Sequence, residues 1–237
     1  ACRECGPEIW LTDQKGDKIE SNDPVSDTIE LLARGKIIAI KGLGGFHLAV
    51  DASNADAVAA LRMAKGRGEK PLALMGSNLD SAKELVQLNQ EENDTLLSIQ
   101  APIVLCTSRA SAKIASNIAP GNDRLGIMLP YTPLHHLLLS EKLDTLVMTS
   151  ANFSEEPICI DNDEALERLS DLADYFLLHN RDIYLRSDDS VVMEMSNTIR
   201  PIRRSRGYAP RPIFLKKSGP SILAVGGELK NVVALSK

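Results

Sequence analysis

The segment KIIAIKGLGGFHLAVDASN (Lys36–Asn54) holds two short apolar runs, Lys36–Ile40 and Phe46–Val50, separated by the glycine-rich Lys41-Gly-Leu-Gly-Gly45. Each run is too short for a helix and is bounded by turn residues, so each reads as a strand. Upstream, Asn22-Asp23-Pro24 opens an apolar-periodic stretch through Ile29, Leu31 and Leu32 that stops at Gly35, the pattern of a capped helix. Downstream, Asn54 is placed to cap a helix through Ala57, Leu61 and Ala64.

That alternation continues outward. Strands are expected at Pro71–Met75, Ile103–Cys106, Leu125–Leu129, Thr145–Thr149, Tyr175–Leu178, Ser190–Met195 and Thr198–Arg203. Helices are expected near Leu79–Leu88, Pro133–Ser140 and Asp163–Leu169. Many strands separated by helices imply an α/β fold, a twisted sheet covered by helices. The final segment, Ile222–Val225, then Gly226-Gly227, then Asn231–Leu235, reads as a strand, a glycine turn and a new strand.

With 237 residues and 43% hydrophobic content the chain can bury a sizeable core, and its 4% aromatic content points to an aliphatic interior. No window approaches 18 uninterrupted apolar residues and the N-terminus lacks a signal-peptide core, so a cytoplasmic protein is expected, with no membrane partner. The net charge of −5 argues against a dedicated nucleic-acid binder. Between Met195 and Gly227, however, there is no acid, while Arg200, Arg203, Arg204, Arg206, Arg211, Lys216 and Lys217 form a basic segment able to meet something anionic. Cys106 and Cys159 sit beside apolar runs and read as buried thiols; Cys2-x-x-Cys5 has the spacing of half a zinc ribbon.

Three clusters could carry chemistry. Lys65-Gly-Arg67-Gly-Glu-Lys70-Pro71 is either a helix end whose cations complement the macrodipole or a phosphate clamp in which glycines let the backbone approach a ligand. Thr149-Ser150-Ala151-Asn152 closes a buried strand; in an extended chain Ser150 and Asn152 face one side, although such residues also end strands for local reasons. His179-Asn-Arg181 with Arg186-Ser-Asp188-Asp189-Ser190 is either a salt-bridged turn or a magnesium and phosphate site. His135 and His136 are adjacent on a helix and so do not form a metal pair. The Lys41–His47 run is neither a Walker A loop nor a complete dinucleotide fingerprint, and no Gly-x-Ser-x-Gly elbow is present.

Taken in order, Cys5-Gly-Pro7, Lys41–Ala52, Leu61–Pro71, Ser150-Ala-Asn152 with Glu156-Pro-Ile158, His179–Arg181, Arg186–Val191, Arg203–Pro210 and Leu223–Asn231 resemble the YrdC-like domain of HypF-type hydrogenase-maturation carbamoyltransferases. The resemblance implies a YrdC-like twisted mixed sheet with a concave cationic cleft. It also implies three regions: 1–20 as the end of a zinc-ribbon region and linker, 21–218 as the YrdC-like nucleotide-binding domain, and 219–237 as the first strands of a truncated ASKHA-like carbamoyl-transfer domain.

The chemistry it implies starts with carbamoyl phosphate, which the longer proteins hydrolyse to carbamate. The YrdC-like domain adenylates carbamate with ATP and Mg2+, and the following domain passes the carbamoyl group to the C-terminal cysteine of HypE. That group becomes the cyanide ligand of [NiFe] hydrogenase. By motif, Lys65, Arg67 and Lys70 would bind triphosphate, Ser150 and Asn152 would hold the adenylate, and Arg181, Arg186 and Arg204 would close the cleft. Asp188 or Asp189 would place Mg2+, His47 would contact the carbamoyl end, and Cys2 and Cys5 would be zinc ligands of the parent protein. Two other readings remain open: an L-threonylcarbamoyl-AMP synthase of the same fold, to which neither flanking stub belongs, and an RNA-binding module using the basic stretch, which carries only Tyr208 and Phe214 for stacking.

Overall fold

The computed structural model describes residues 6–139, 142–153, 156–214, 219–226 and 233–236. In chain order the elements begin with β1 (Ile9–Asp13), α1 (Pro24–Ala33), β2 (Ile38–Lys41), β3 (Phe46–Asp51), α2 (Ala55–Ala64) and β4 (Ala73–Gly76). There follow α3 (Leu79–Leu85), β5 (Val86–Gln87), α4 (Gln90–Leu96), β6 (Ile103–Ser108), β7 (Arg124–Met128), α5 (Pro133–Leu138) and β8 (Thr145–Ser150). The chain continues with α6 (Asn162–Leu169), β9 (Tyr175–His179), β10 (Val191–Glu194), β11 (Ile199–Arg203), β12 (Leu223–Val225) and β13 (Val233–Leu235).

Eleven strands form one mixed sheet in the order β1-β9-β2-β3-β8-β4-β7-β6-β10-β11, with β5 pairing onto β6. The pairs β2–β9, β4–β7 and β6–β10 are parallel and the other pairs are antiparallel. The sheet is buried on both faces, which explains why its central strands read as continuous apolar runs. In β2, Ala39 packs into the core beneath α2, α3, α4 and α6, while Ile38 and Ile40 point to the opposite core against α1 and α5. A one-residue slip of β2 would exchange those two faces.

The helix starts follow local chemistry. The Asp23 side chain accepts from the Ser26 amide, and the Asn54 and Asn78 side chains each accept from two amides of the following turn. Three features depart from the sequence reading. The expected helix Leu79–Leu88 ends at Leu85, because Val86 and Gln87 pair with β6 instead. Helix α4 was not anticipated; it starts at a reciprocal capping box between Asn89 and Glu92. Most consequentially, β1 lies within the stretch assigned to a linker at 1–20 yet forms the sheet edge, paired with β9 from Ile9↔His179 to Asp13↔Tyr175. Residues 9–13 are thus part of the same sheet as the strands that follow residue 21.

Strands β12 and β13 form a separate two-stranded antiparallel sheet, Leu223↔Leu235 to Val225↔Val233, with all three residues of each strand exposed. The glycine turn expected between them lies mostly outside the described residues. No helix among the described residues is long and apolar enough to cross a membrane.

Candidate functional site

The basic cluster begins where α2 stops. The Gly66 amide donates to the Met63 carbonyl and the Arg67 amide to the Arg62 carbonyl, the pair of bonds that defines a Schellman ending. Gly66 has φ +57°, the left-handed conformation such an ending requires, and a Cβ there would meet nothing within 4 Å. The turn lays residues 66–71 across the end of β8. Arg62, which motif reasoning did not single out, supports it from below: its guanidinium donates to the carbonyls of Gly68 and Lys70.

The two leading cations do different things. Lys65 is 5% exposed, and its Nζ donates to the carbonyls of Ser150 (2.8 Å) and Asn152 (2.6 Å), fastening the loop after β8. Arg67 makes longer contacts, to the Pro71 carbonyl (3.4 Å) and Thr149 Oγ1 (3.2 Å). Burial, with Arg62 as a second cation beside it, lowers the Arg67 pKa from its ordinary value. A partly dehydrated guanidinium next to another cation gains from an incoming anion.

Beyond β8, Ser150 Oγ donates to Asn152 Oδ1 (2.7 Å) and Asn152 Nδ2 donates to the Glu156 carbonyl (2.7 Å). The two side chains expected on one face are thus held together. Asp188, Asp189 and Arg203 complete the opposite wall, and Ile103, Leu105, Gly126, Met148 and Val191 contribute an apolar floor. These surfaces enclose a cavity of about 860 Å³, also lined by Lys65, Arg67, Lys70, Ser150 and Asn152, with Arg124 on its border. A cavity of this size with cations on two walls and an apolar floor has the make-up of a small-molecule anion site.

Both oxygens of the Asp189 carboxylate are engaged. Its Oδ1 accepts from Arg206 Nε (2.9 Å), Arg206 Nη2 (2.8 Å) and Tyr131 Oη (3.3 Å), and its Oδ2 bonds His47 Nε2 (3.1 Å). Burial alone would raise its pKa, but His47 and Arg206 overcome that and hold the carboxyl well below the usual range. His47 is 3% exposed and is absent from the cavity lining. The nearby His135, 1% exposed, is kept neutral by burial and then by His47, its pKa pushed down to about 3.

The three arginines expected to close the cleft do not line it either. Arg181 is exposed. Arg186 Nε donates to the Ile158 carbonyl (2.6 Å) and its Nη2 pairs with Glu164 (3.5 Å). Arg204 Nη2 caps the carbonyls of Tyr208 and Arg211 in the turn after β11. Arg203, the last residue of β11, lines the cavity instead. Cys2 and Cys5 lie outside the described residues.

The glycine run at 42–45 proves to be a packing device. A Cβ on Gly44 would sit 2.3 Å from the Ser187 carbonyl oxygen, and one on Gly45 would lie 2.6 Å from Ile158 side-chain carbons. Ser187 in turn donates its amide to the Gly44 carbonyl (2.9 Å). The run supports the wall that carries Asp188 and Asp189.

A family model described as Sua5_yciO_yrdC, Telomere recombination, matches residues 30–205. The chain is 47% identical over 247 aligned residues to carbamoyltransferase HypF2 of Cupriavidus necator, covering 97% of this chain and 31% of that protein. It is 49% identical over 219 residues to carbamoyltransferase HypF of Synechocystis, covering 92% of this chain and 29% of the relative. Among solved structures, full-length HypF in the phosphate- and nucleotide-bound form superposes with a TM-score of 0.90 at 49% identity, covering all of this chain and 31% of that one. The chain therefore spans under a third of the length of these relatives, and it belongs to the Sua5/YciO/YrdC family.

Proposed function

We propose that this chain binds ATP in the cavity and adenylates carbamate, releasing pyrophosphate and forming carbamoyl-AMP. The observation that carries the reading is the convergence of Lys65, Arg67 and Lys70 with Ser150 and Asn152 on one cavity that also has an apolar floor. The similar HypF structure is a nucleotide-bound form, which supports a nucleotide as the ligand.

In the reaction a carbamate oxygen attacks the α-phosphorus, the bond from that phosphorus to the bridging oxygen breaks, and pyrophosphate leaves with the electron pair. Negative charge spreads over the phosphates, so positioning and cationic stabilisation supply the catalysis. Arg67 and Lys70 face the phosphates, and Lys65 holds the carbonyls that shape the β8 end. Ser150 and Asn152 orient the adenylate. Mg2+ would arrive on the triphosphate with Asp188 as its protein carboxylate, a donor set suited to an ion that takes one or two carboxylates plus phosphate oxygens.

In the longer proteins, carbamate would come from carbamoyl phosphate and the carbamoyl group would pass to the terminal cysteine of HypE, for hydrogenase maturation. Residues 219–237 would begin the transfer domain, and zinc would be held by Cys2 and Cys5 with partners from a preceding segment. The test is ATP/pyrophosphate exchange by the purified chain with Mg2+ and ammonium bicarbonate as a carbamate source. Exchange that depends on carbamate and is abolished in Lys65→Ala and Arg67→Ala is expected. Wild-type exchange in both variants, or exchange that requires threonine, would overturn it.

A further inference from the structure

We infer that Asp189 is a positioning residue: it latches the 203–206 segment to the cavity wall and so fixes Arg203 and Asp188 toward the nucleotide. The inference rests on the nucleotide reading above for its functional consequence, but the latch itself is visible in the contacts.

Two separate stretches are joined here. The Arg206 amide donates to the Asp188 carbonyl (3.1 Å) and Arg203 Nε to the Asp189 carbonyl (2.7 Å). The Ser205 amide donates to Ser190 Oγ (2.7 Å), which donates to the Arg206 carbonyl (2.9 Å). Asp188 and Arg203 both line the cavity. The geometry of that wall thus depends on how residues 203–206 are held.

The side chains of Asp189 and Arg206 hold them. Each is 11% exposed. Besides its two bonds to Asp189 Oδ1, the Arg206 guanidinium donates to the carbonyls of Ala101 (2.8 Å) and Gln100 (3.3 Å) and stacks 3.7 Å over the Tyr131 ring. Asp189 adds His47 on β3 and Tyr131 before α5. One carboxylate therefore ties the sheet centre, the turn before β6 and the basic segment to one point. A planar fork stacked on an aromatic ring is a demand that Arg meets and Lys does not. Gly207, at φ +83°, lets the chain leave this point closely packed on Gln100, whose carbonyl oxygen would lie 2.5 Å from an added Cβ.

The test is a double-mutant cycle on the chain, using Asp189→Asn, Arg203→Ala and the pair, with Mg-ATP affinity read by titration calorimetry. Amide exchange at Ser205 and Arg206 is followed without nucleotide. Asp189→Asn is expected to weaken ATP about tenfold, what loss of a charge-assisted hydrogen bond costs. In the Arg203→Ala background its further loss should be smaller than in the wild-type background, because part of the latch's effect runs through Arg203 and the rest through Asp188. Faster exchange at Ser205 and Arg206, with β2 amides unchanged, is expected alongside. Because Asp189→Asn uncouples a buried pair and could fail to fold, Arg206→Lys, which keeps the charge but not the fork, serves as the second variant with the same expected losses. Unchanged ATP affinity in a folded variant, multiplicative losses in the double variant, or unchanged exchange would each overturn the latch. Wild-type chain that binds no ATP but shows the exchange difference would sink the nucleotide reading alone.

Discussion

Lys65 and Arg67 carry similar charge within three residues, yet the structure predicts opposite balances of stability and binding for their removal. Replacing Lys65 by Met keeps the apolar stem and deletes two charge-assisted bonds, to the carbonyls of Ser150 and Asn152. Each such bond contributes about 1.5–3 kcal/mol; taking the lower value for each gives ~3 kcal/mol for the pair. For a chain of this size that is a fall in Tm of about 6–12 °C. Arg67→Met deletes only contacts of 3.2 and 3.4 Å, at or beyond the usual limit for N–H···O bonds, so its cost should stay under ~1 kcal/mol, or about 4 °C. Both variants should lose at least about tenfold in Mg-ATP affinity, since a cation at ~4 Å from a phosphate contributes up to ~4 kcal/mol near a protein surface. Circular-dichroism melts and calorimetric titration separate the two effects. An Arg67→Met chain that melts below Lys65→Met, or a Lys65→Met chain within about 2 °C of wild type, would refute the division of labour.

Gly44→Ala should destabilise by about 1–3 kcal/mol and Gly45→Ala by less, because the first added methyl meets a backbone carbonyl and the second the flexible end of Ile158; urea midpoints that rank them the other way would contradict the packing role. His135 makes stability rise with pH. Its folded pKa of about 3 lies below the unfolded value of 6.5, so the unfolded chain binds the extra proton across that window and about 2 kcal/mol is lost by pH 5. His135→Leu should flatten the difference in denaturant midpoint between pH 7.5 and 5 while His47, His136, Tyr131, Asp189 and Arg206 still surround the site; an unchanged difference would count against it. Asp189 acts in a lower window, its lowered pKa giving stability present above 3.8 and lost as pH falls further. Asn152→Asp replaces the amide that donates to the Glu156 carbonyl with a carboxylate among the phosphate-facing groups, and should weaken Mg-ATP at least about tenfold; calorimetry showing wild-type affinity would remove Asn152 from the site.

The sheet was legible where both of its faces are buried, because a strand covered on both sides writes an apolar run regardless of its partner. It was not legible at β1, whose place depends on sequence-distant partners: β1 pairs with β9, and Leu11 is 1% exposed because it packs with Leu32, Ile38, Ile40 and Leu177. Helix α4 did carry a local signal, Asn89 followed by Glu92, but its periodic apolar face is short, with only Glu92 and Leu96 buried. Among the site residues, the cations beside Gly66 and the Ser150/Asn152 pair stood out because helix endings and strand alternation fix where they point. The arginines did not, since a charge in a loop says nothing about which carbonyl it will cap. Arg204 spends its donors on nearby carbonyls and Arg186 on the distant Ile158 carbonyl and Glu164, while Arg203 lines the cavity and Arg206 is largely buried.

That sorting changes what the acidic pair means. Adjacent carboxylates read from sequence as interchangeable metal ligands, yet successive residues of an extended chain point in opposite directions. Here both residues border the cavity, but the carboxylate of Asp189 is spent beneath it on Arg206, His47 and Tyr131. The glycines at 44 and 45 bring the supporting loop close enough for this to happen, since any side chain on Gly44 would push Ser187 and the acids after it outward. A wall assembled this way is stiff without being covalently constrained. It presents Asp188 and Arg203, one negative and one positive group, opposite the cationic loop that follows α2. On the proposed reading, a triphosphate would meet positive charge from both sides, with Asp188 placed to share its magnesium.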